Sequence, residues 1–383
     1  MSTRIPSSDP RQKLLRNSAL AGTVLLALIA ASCSSNSSGT EAATESPAGA
    51  ESSESTDCAP SNGAEFICGV DNVEDFVRLP DGQLIGSDLA ATGTQGHLFL
   101  FQTDRSVRTI EPQEIAVEPD PAYGACEVPD WNIFNPHGMG SVDIEGGRAT
   151  KLYVVNHGGR DAVEIFDIDR SAEVPTVTWT GCLVPPAGAW PDDVAALPDG
   201  GMLVTSLWNP DDPDNLQKAV DGTPQGQLLK WTTTGQWSVL PGLDDISGPN
   251  GVITSPDGKM AYMAAWSGKQ LVTIDLVSGA VDTENLDYTP DNLTWSADGS
   301  AFYIGGTTAN VEGALQCFTS TRTNCPETGI RIDKYDPTSK SVQTLVQGSD
   351  FGQFGMATGA IDVGEELWVN SYRSDRVAIF DEN

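Results

Sequence analysis

The sequence predicts an all-β protein, specifically a six-bladed β-propeller, from three observations. One polar residue recurs six positions before a turn in each of six repeats, and we call these the axial residues: Glu74, His137, Asp192, Asn250, Asp291 and Thr358. Successive repeats span about 40 to 65 residues and contain short β-type apolar runs without a long helical period. In a propeller the first strand of every blade starts beside the central axis at one face, so the axial residues should converge there.

Each repeat follows one order: an axial residue, a first strand, a turn, a second strand, a loop and a third strand. The β-branched and aromatic runs that predict second strands occupy 152–155, 202–204, 261–263, 302–304 and 367–369. Third strands are predicted at 97–101, 163–167, 271–275 and 377–381. Because a second strand returns antiparallel to the first, its end reaches the axial face. The insertions 208–226 and 307–329 leave from such ends and should overhang that face as pocket walls or lids.

The N-terminal segment 1–32 has the order of an export signal, with basic residues followed by an apolar run at 19–31. That run is too short to span a bilayer, which takes about 20 residues. Residues Ala30-Ala31-Ser32-Cys33 resemble the bacterial lipobox, which predicts a lipoprotein signal peptide and lipidation of Cys33. A plain secretory signal is the alternative. We therefore expect export to the bacterial cell envelope, with attachment to the membrane through an N-terminal lipid.

Residues 33–62 are rich in Ser, Thr, Ala, Glu, Gly and Pro and lack apolar periodicity, so we interpret them as a disordered tether. A chain of 383 residues could hold two domains, but the repeat favours one closed propeller domain at 63–383. The formal net charge of −32 excludes nucleic acid as a partner, because an acidic surface repels polyanions.

Six cysteines follow Cys33, and an even number in an exported chain predicts three disulfides. The candidates are Cys58, Cys68, Cys126, Cys182, Cys317 and Cys325. Many pairings are possible, although proximity favours Cys58 with Cys68 and Cys317 with Cys325, which leaves Cys126 with Cys182. The spacing of Cys and His residues is not that of a zinc site.

Five polar residues at or beside the axial positions offer oxygen ligands: Glu74, Asp192, Asn250, Asp291 and Asn292. Carboxylate and amide oxygens suit Ca²⁺, which takes about six to eight oxygen ligands, better than zinc or copper. Mg²⁺ or Mn²⁺ is an alternative. Isolated residues of these types are ordinary turn and strand-end residues, but their shared register predicts a metal site, either catalytic or purely structural.

The chain contains three histidines. His97 lies on an outer third strand, and we interpret it as structural. His137 and His157 are 20 residues apart, and a hairpin of this length brings both residues to the same face. Because imidazole exchanges protons near neutral pH, these two are candidate catalytic residues. The alternative is a pair of hydrogen-bonded polar residues on the rim.

Five short motifs surround the axial residues. They are Phe134-Asn135-Pro136-His137-Gly138, Leu152-Tyr153-Val154-Val155-Asn156-His157, Pro249-Asn250-Gly251, Asp291-Asn292, and Glu74-Asp75 followed by Leu79-Pro80. Together they resemble the serum paraoxonase/arylesterase family over about residues 66–381, and the first two motifs are the most specific. That family is a six-bladed propeller with two calcium ions that hydrolyses lactones and aryl esters, which the resemblance implies for this chain.

The resemblance also implies two ligand sets. The catalytic calcium would be held by Glu74, Asn250, Asp291 and Asn292, with Asp192 where the family has Asn. A buried structural calcium would be held by Asp75, Asp193 and the carbonyl of Met139.

The resemblance further implies that His137 and His157 form the dyad that activates water. Thr307 lies near the position of a pocket histidine found in some family members, beside the insertion 307–329, which those members lack. We expect Thr307 and the axial residue Thr358 in a reshaped substrate pocket.

Two functional hypotheses follow. In the first, the protein is a calcium-dependent lactonase or arylesterase, in which the metal stabilises the developing oxyanion and His137, oriented by His157, deprotonates water. The chain lacks a GxSxG motif, so no serine nucleophile is implied. In the second, a non-catalytic, metal-stabilised propeller binds a carbohydrate or protein partner. A gluconolactonase-like sugar lactonase is a further alternative, against which the histidine pair argues.

Replacing Cys33 by Ala tests the lipoprotein hypothesis. The variant should lose its lipid and either stay unprocessed or be released as a soluble protein, because the acylated sulfur is the membrane attachment. Immunoblots of membrane and soluble fractions, with labelled fatty acid, check this, and Ser38→Ala in the tether is the control. Normal processing of Cys33→Ala with unchanged membrane association would contradict the hypothesis.

Overall fold

The computed structural model describes residues 58–91, 93–124, 126–172 and 174–382. The predicted signal peptide, the lipidation site Cys33 and the tether up to residue 57 lie outside these ranges. Within them, no helix is long and apolar enough to cross a bilayer.

Six β-sheets confirm the six-bladed propeller. Strand β1 (Glu65–Cys68) comes first in the chain. Blades 1 and 2 contain β2 (Val73–Arg78), β3 (Leu84–Asp88), β4 (Leu98–Phe101), β5 (Val107–Ile110), β6 (Ile115–Val117), β7 (Pro136–Ile144), β8 (Ala149–Asn156), β9 (Ala162–Asp169) and β10 (Thr176–Leu183). Blades 3 and 4 contain β11 (Pro191–Ala196), β12 (Met202–Ser206), β13 (Gln227–Thr232), β14 (Gln236–Val239), β15 (Pro249–Thr254), β16 (Met260–Ala265), β17 (Gln270–Asp275) and β18 (Val281–Asn285). Blades 5 and 6 contain β19 (Thr289–Trp295), β20 (Phe302–Thr307), β21 (Ile330–Asp336), β22 (Ser341–Gly348), β23 (Ala357–Val363), β24 (Glu366–Ser371) and β25 (Arg376–Asp381).

Each blade is built on four antiparallel strands, and the innermost strands of blades 1 to 6 are β2, β7, β11, β15, β19 and β23. Blade 2 has a fifth strand, because β6 pairs in parallel with β10. The outermost strands, such as β14 and β18, were not predicted from the sequence, because most of their residues are exposed and few are apolar.

The N-terminal strand closes the ring. Strand β1 pairs antiparallel with β25, so that Glu65 lies opposite Ile379 and both ends of the domain share blade 6. Apolar packing continues across this junction, where the rings of Phe101 in blade 1 and Trp368 in blade 6 lie 6.1 Å apart, edge to face. Closure therefore holds the first blade against the last.

The three predicted disulfides are present: Cys58–Cys68, Cys126–Cys182 and Cys317–Cys325. They indicate an oxidising environment, as expected for an exported protein. Cys58 lies in the predicted tether, and its disulfide ties that residue to β1.

Both predicted insertions carry a short helix. The insertion after β12 contains α1 (Asn215–Val220), and the insertion after β20 contains α2 (Val311–Phe318). The side chain of Asn310 caps α2 by accepting a hydrogen bond from the backbone N–H of Gly313. Short 3₁₀ turns lie at Pro112–Glu114, Pro121–Tyr123, Glu145–Gly147 and Pro326–Thr328. The two helices contact each other, and the disulfide at Cys317 fixes the end of α2.

Removing the disulfide with the longest loop should destabilise the fold most. By chain entropy, the Cys126–Cys182 bond, with a sequence separation of 56, contributes about 4 kcal/mol, against about 2.5 kcal/mol for Cys317–Cys325, with a separation of 8. Unfolding of paired Cys→Ser variants in guanidinium chloride measures the difference. Equal losses, or a larger loss from the Cys317–Cys325 pair, would contradict this ranking.

Candidate active site

Every innermost strand carries a β-bulge at its axial residue. In β2 the pairing passes from Val73 to Phe76, while the partner strand advances only from Asp88 to Gly86. Glu74 and Asp75 therefore oppose one residue, and the bulge breaks the alternation of side chains found in a regular strand. The equivalent bulged residues are His137–Gly138, Asp192–Asp193, Asn250–Gly251, Asp291–Asn292 and, as a single extra residue, Thr358.

Proline precedes the bulge in four of the six innermost strands, and glycine forms part of it in two. Four bulged pairs follow a residue that cannot donate a ladder hydrogen bond: Pro136, Pro191, Pro249 and Pro290. Gly138 and Gly251 lie against the next blade. A Cβ at Gly138 would stand 2.5 Å from the carbonyl oxygen of Asp192, and one at Gly251 would stand 2.4 Å from that of Asp291. Glycine therefore lets adjacent innermost strands approach closely.

All six axial residues line one cavity of ≈ 30 Å³. The other lining residues are apolar or aromatic: Leu89, Trp190, Leu207, Trp208, Trp266, Leu315, Phe318, Met356 and Tyr372. Trp208 belongs to the first insertion, and Leu315 and Phe318 belong to α2. Both insertions therefore cover the axial residues with apolar surface, and we call this space the axial cavity.

Three buried carboxylates, those of Glu74, Asp192 and Asp291, share the axial cavity, and its described lining residues include no lysine or arginine. Loss of hydration raises the pKa of all three, and repulsion by neighbouring carboxylates raises it further. Glu74 Oε2 is buried and has no hydrogen-bond partner among the described residues. A buried oxygen of this kind is open to a water molecule or an ion as its partner.

The backbone of Glu74 is held from blades 5 and 6. Its carbonyl oxygen accepts hydrogen bonds from Thr358 Oγ1 at 2.6 Å, from Asn292 Nδ2 at 3.0 Å and from Asn370 Nδ2. Asn292 Nδ2 also donates to Glu74 Oε1 at 2.7 Å. The predicted site residues Thr358 and Asn292 therefore both contact Glu74, together with Asn370, which the sequence did not single out.

Asp75 and Asp193 form a second, deeper layer. Asp75 Oδ1 accepts from the N–H of Phe76 and Oδ2 from that of Met139 in the next blade, each at 2.7 Å. Asp193 bonds in the same way to Val194 and to Val252, again each at 2.7 Å. Burial raises the pKa of Asp75 to about 7. It also raises the pKa of Asp193, and the charge of Asp75 adds to that shift.

The two candidate catalytic histidines form a relay that ends on a carboxylate. His137 Nδ1 lies 3.0 Å from His157 Nε2, and His157 Nδ1 lies 2.7 Å from Asp161 Oδ1. The other nitrogen of His137, Nε2, faces Glu74 Oε2 at 3.8 Å. Burial, and then the charge of His157, lower the pKa of His137 well below its usual value, so the neutral form of its ring is favoured. Asp161 was missed by sequence reasoning, and its spacing of four residues from His157 is the only signal for it.

Aromatic rings fix the plane of His157. Trp190 stacks on the His157 ring with centroids 4.4 Å apart and planes at 16°, and Trp208 stacks on Trp190 at 5.4 Å and 16°. Trp190 and Trp208 flank the first hairpin of blade 3, so the base of the first insertion packs against the relay.

Thr307, which we expected in the substrate pocket, and His97, which we interpreted as structural, both lie outside the axial cavity. Thr307 ends β20, where its Oγ1 donates to the carbonyl of Thr328 at 2.6 Å, at the base of the second insertion. His97 lies 3.3 Å from Asp88 through its Nδ1 atom and joins neither the relay nor the axial cavity.

The chemistry of the axial cavity fits a hard cation. Within the described ranges, no three His, Cys, Asp or Glu side chains converge as a metal centre by themselves, so a cation here would also need amide oxygen. Asn250 lines the same cavity as Glu74, Asp192 and Asp291 and supplies such an oxygen. The donors are all oxygen, as Ca²⁺ prefers, and Glu74 Oε2 is available.

The sequence matches no protein-family model and no curated protein. Among solved structures, a gluconolactonase from Xanthomonas campestris is 15% identical, with 83% of this chain and 89% of that chain covered and a TM-score of 0.48. Virginiamycin B lyase from Staphylococcus aureus is 14% identical, with 79% and 78% covered and a TM-score of 0.41. A chain of the nidogen/laminin complex is 12% identical, with 78% and 89% covered and a TM-score of 0.46. Likenesses this distant carry no argument about activity.

Adding Ca²⁺ to metal-stripped protein should raise its Tm, because a cation held by the axial residues binds only the folded state. The free energy of unfolding should increase by about 2.7 kcal/mol when free Ca²⁺ exceeds Kd by about 100-fold. This gain in the free energy of unfolding should be larger in alkaline solution than in mild acid. Carboxylates with raised pKa values keep their protons in acid, and the metal-free fold loses stability as pH rises through the folded pKa, about 7 for Asp75.

Calorimetry of the parent, Asn250→Ala and the exposed control Asn285→Ala tests this expectation. The parent and Asn285→Ala should respond alike to Ca²⁺, and Asn250→Ala should respond weakly. A parent that responds no more than Asn250→Ala would exclude the axial cavity as the binding site.

Proposed function

We propose that this protein is a calcium-dependent hydrolase of lactones or aryl esters. The observation that carries the proposal is the position of His137 Nε2, a basic nitrogen that faces a cavity of oxygen donors, 3.8 Å from the unpartnered Glu74 Oε2. A base beside a cation site is the arrangement that metal-assisted hydrolysis requires.

We expect Glu74, Asp192, Asn250 and Asp291 to hold one Ca²⁺, with Asn292 beside them. Glu74 would bind the ion through Oε2, which has no hydrogen-bond partner among the described residues. Bound there, the ion would polarise the ester carbonyl. Asp75, Asp193 and Met139 would hold a second, structural ion. The support for this second site is a pair of buried carboxylates close enough that the charge of Asp75 raises the pKa of Asp193.

His137 acts as the general base in this proposal. Its Nδ1 atom is engaged by His157, so Nε2 is the atom that takes a proton from water in the axial cavity. A neutral imidazole suits that role, and burial favours the neutral form.

The covering residues suit an apolar substituent on the substrate. Trp190, Trp208, Trp266 and Phe318 exclude water and would pack against an acyl chain or an aryl group. This surface favours hydrophobic lactones and aryl esters over a polyhydroxylated sugar lactone. We further propose that the enzyme acts in the cell envelope, held to the membrane by the lipid on Cys33.

Replacing His137 by Gln should reduce lactone hydrolysis by on the order of 10² to 10⁴, the usual share of general-base catalysis. Folding and Ca²⁺ content should not change, because imidazole is not among the proposed ligands. Steady-state kinetics with a panel of lactones and aryl esters, together with metal analysis, check both statements.

His97→Gln is the matched control, because His97 lies outside the relay and the axial cavity. It should hydrolyse the best substrate at the parental rate. If His137→Gln is as fast as the parent, the base is another group; if the parent cleaves no lactone or ester in the panel, a binding function replaces the hydrolase.

A further inference from the structure

The relay ends outside the axial cavity. Asp161 lies in the loop between β8 and β9, with a side chain 40% exposed, and with His157 it lines an adjoining cleft of ≈ 580 Å³, which shares Trp190 and Phe318 with the axial cavity. The neighbouring cation Arg160 is engaged by the buried Glu164 at 2.8 Å and 3.0 Å. Among the described residues, the carboxylate of Asp161 therefore bonds to His157 rather than to Arg160.

The direction of the hydrogen bonds follows from the carboxylate. A carboxylate only accepts, so His157 Nδ1 must carry the proton in the 2.7 Å contact with Asp161. The neutral His157 ring then has its lone pair on Nε2 and accepts from His137 Nδ1 at 3.0 Å. That leaves the lone pair of His137 on Nε2, the atom that faces the axial cavity.

The opposite chain of tautomers would disable the base. Were His157 protonated at Nε2, it would donate to His137 Nδ1, and the proton of the neutral His137 ring would lie on Nε2. A nitrogen that already carries a proton cannot take one from water. Nothing in the stacking of His157 on Trp190 distinguishes the two states, because stacking fixes the ring plane and not the position of its protons.

We propose that Asp161 is a positioning residue that sets the tautomers of both histidines and so places the basic lone pair in the axial cavity. The effect of Asp161 on catalysis rests on the proposed hydrolase function, whereas its effect on the tautomers of the two histidines does not.

The tautomers can be read directly by ¹⁵N NMR of histidine-labelled protein, since the chain has only three histidines. At a pH where the rings are neutral, His137 and His157 of the parent should both be protonated at Nδ1. In Asp161→Ala, His157 should become a mixture of tautomers, and His137 should follow it. Asp161→Asn, which keeps the shape, should act in the same direction, because an amide can also donate to Nδ1. The exposed control Asp282→Ala should leave all three rings as in the parent.

Kinetics supply the second readout. Asp161→Ala should lower kcat on the order of 10- to 100-fold, the loss usual when a metal-binding histidine is deprived of its carboxylate partner, with little change in KM. Because the cleft is open to solvent, added formate should take the place of the lost carboxylate and restore part of kcat. Formate should not help His137→Gln, in which the base itself is missing.

Two results would overturn the proposal. One is a parent in which His157 is protonated at Nε2, or an Asp161→Ala protein with unchanged tautomers. The other concerns an active parent protein. If its kcat is unchanged by Asp161→Ala, or if added formate does not raise the kcat of Asp161→Ala, the proposal is wrong. A parent without any lactone or ester activity would instead refute the hydrolase, and the NMR spectra would still decide the role of Asp161.

Discussion

The bulge in each innermost strand is the constraint on which the rest of the site depends. In a regular strand Glu74 and Asp75 would face opposite sides of the sheet, and only one of them could reach the axis. The bulge leaves both opposite one residue of β3. Glu74 then lines the axial cavity, and Asp75 bonds to the N–H of Met139 in the next blade. Around the ring, the first bulged residue of each innermost strand forms the site, and the acidic second residues Asp75 and Asp193 join adjacent blades.

This arrangement gathers buried carboxylates, and the described residues that line the axial cavity include no lysine or arginine to compensate them. Glu74, Asp192 and Asp291 lose hydration and repel one another, which is why burial and mutual charge raise their pKa values. Such clusters are costly in proteins unless a cation or a proton compensates them. A hard cation would relieve the repulsion and occupy the free position at Glu74 Oε2. The same physics ties stability to function, because the groups that would position a metal are those that destabilise the metal-free fold.

The regular part of this architecture could be predicted from the sequence, and the irregular part could not. The equal distance from Glu74 or Asn250 to the following turn predicts the blades and the convergence of axial residues on one cavity, because the turn sets the length of the first strand. A bulge has no periodic signal, so the inward direction of Asp75 and Asp193 could be inferred only from resemblance to a known family. Strand β1 contains four residues and pairs with β25 at the other end of the chain, and no local sequence pattern indicates this pairing. Asp161 sits in an irregular loop, where position depends on tertiary packing and not on spacing.

In the proposed function, the axial residues and the histidine relay act on one metal-dependent reaction in the axial cavity. The decisive measurement is lactone turnover by metal-stripped protein, before and after reloading with Ca²⁺. Stripping should abolish turnover and Ca²⁺ should restore it, with no recovery in Asp291→Ala at the same free Ca²⁺. Turnover that survives complete removal of the metal, or that returns equally in Asp291→Ala, would contradict it.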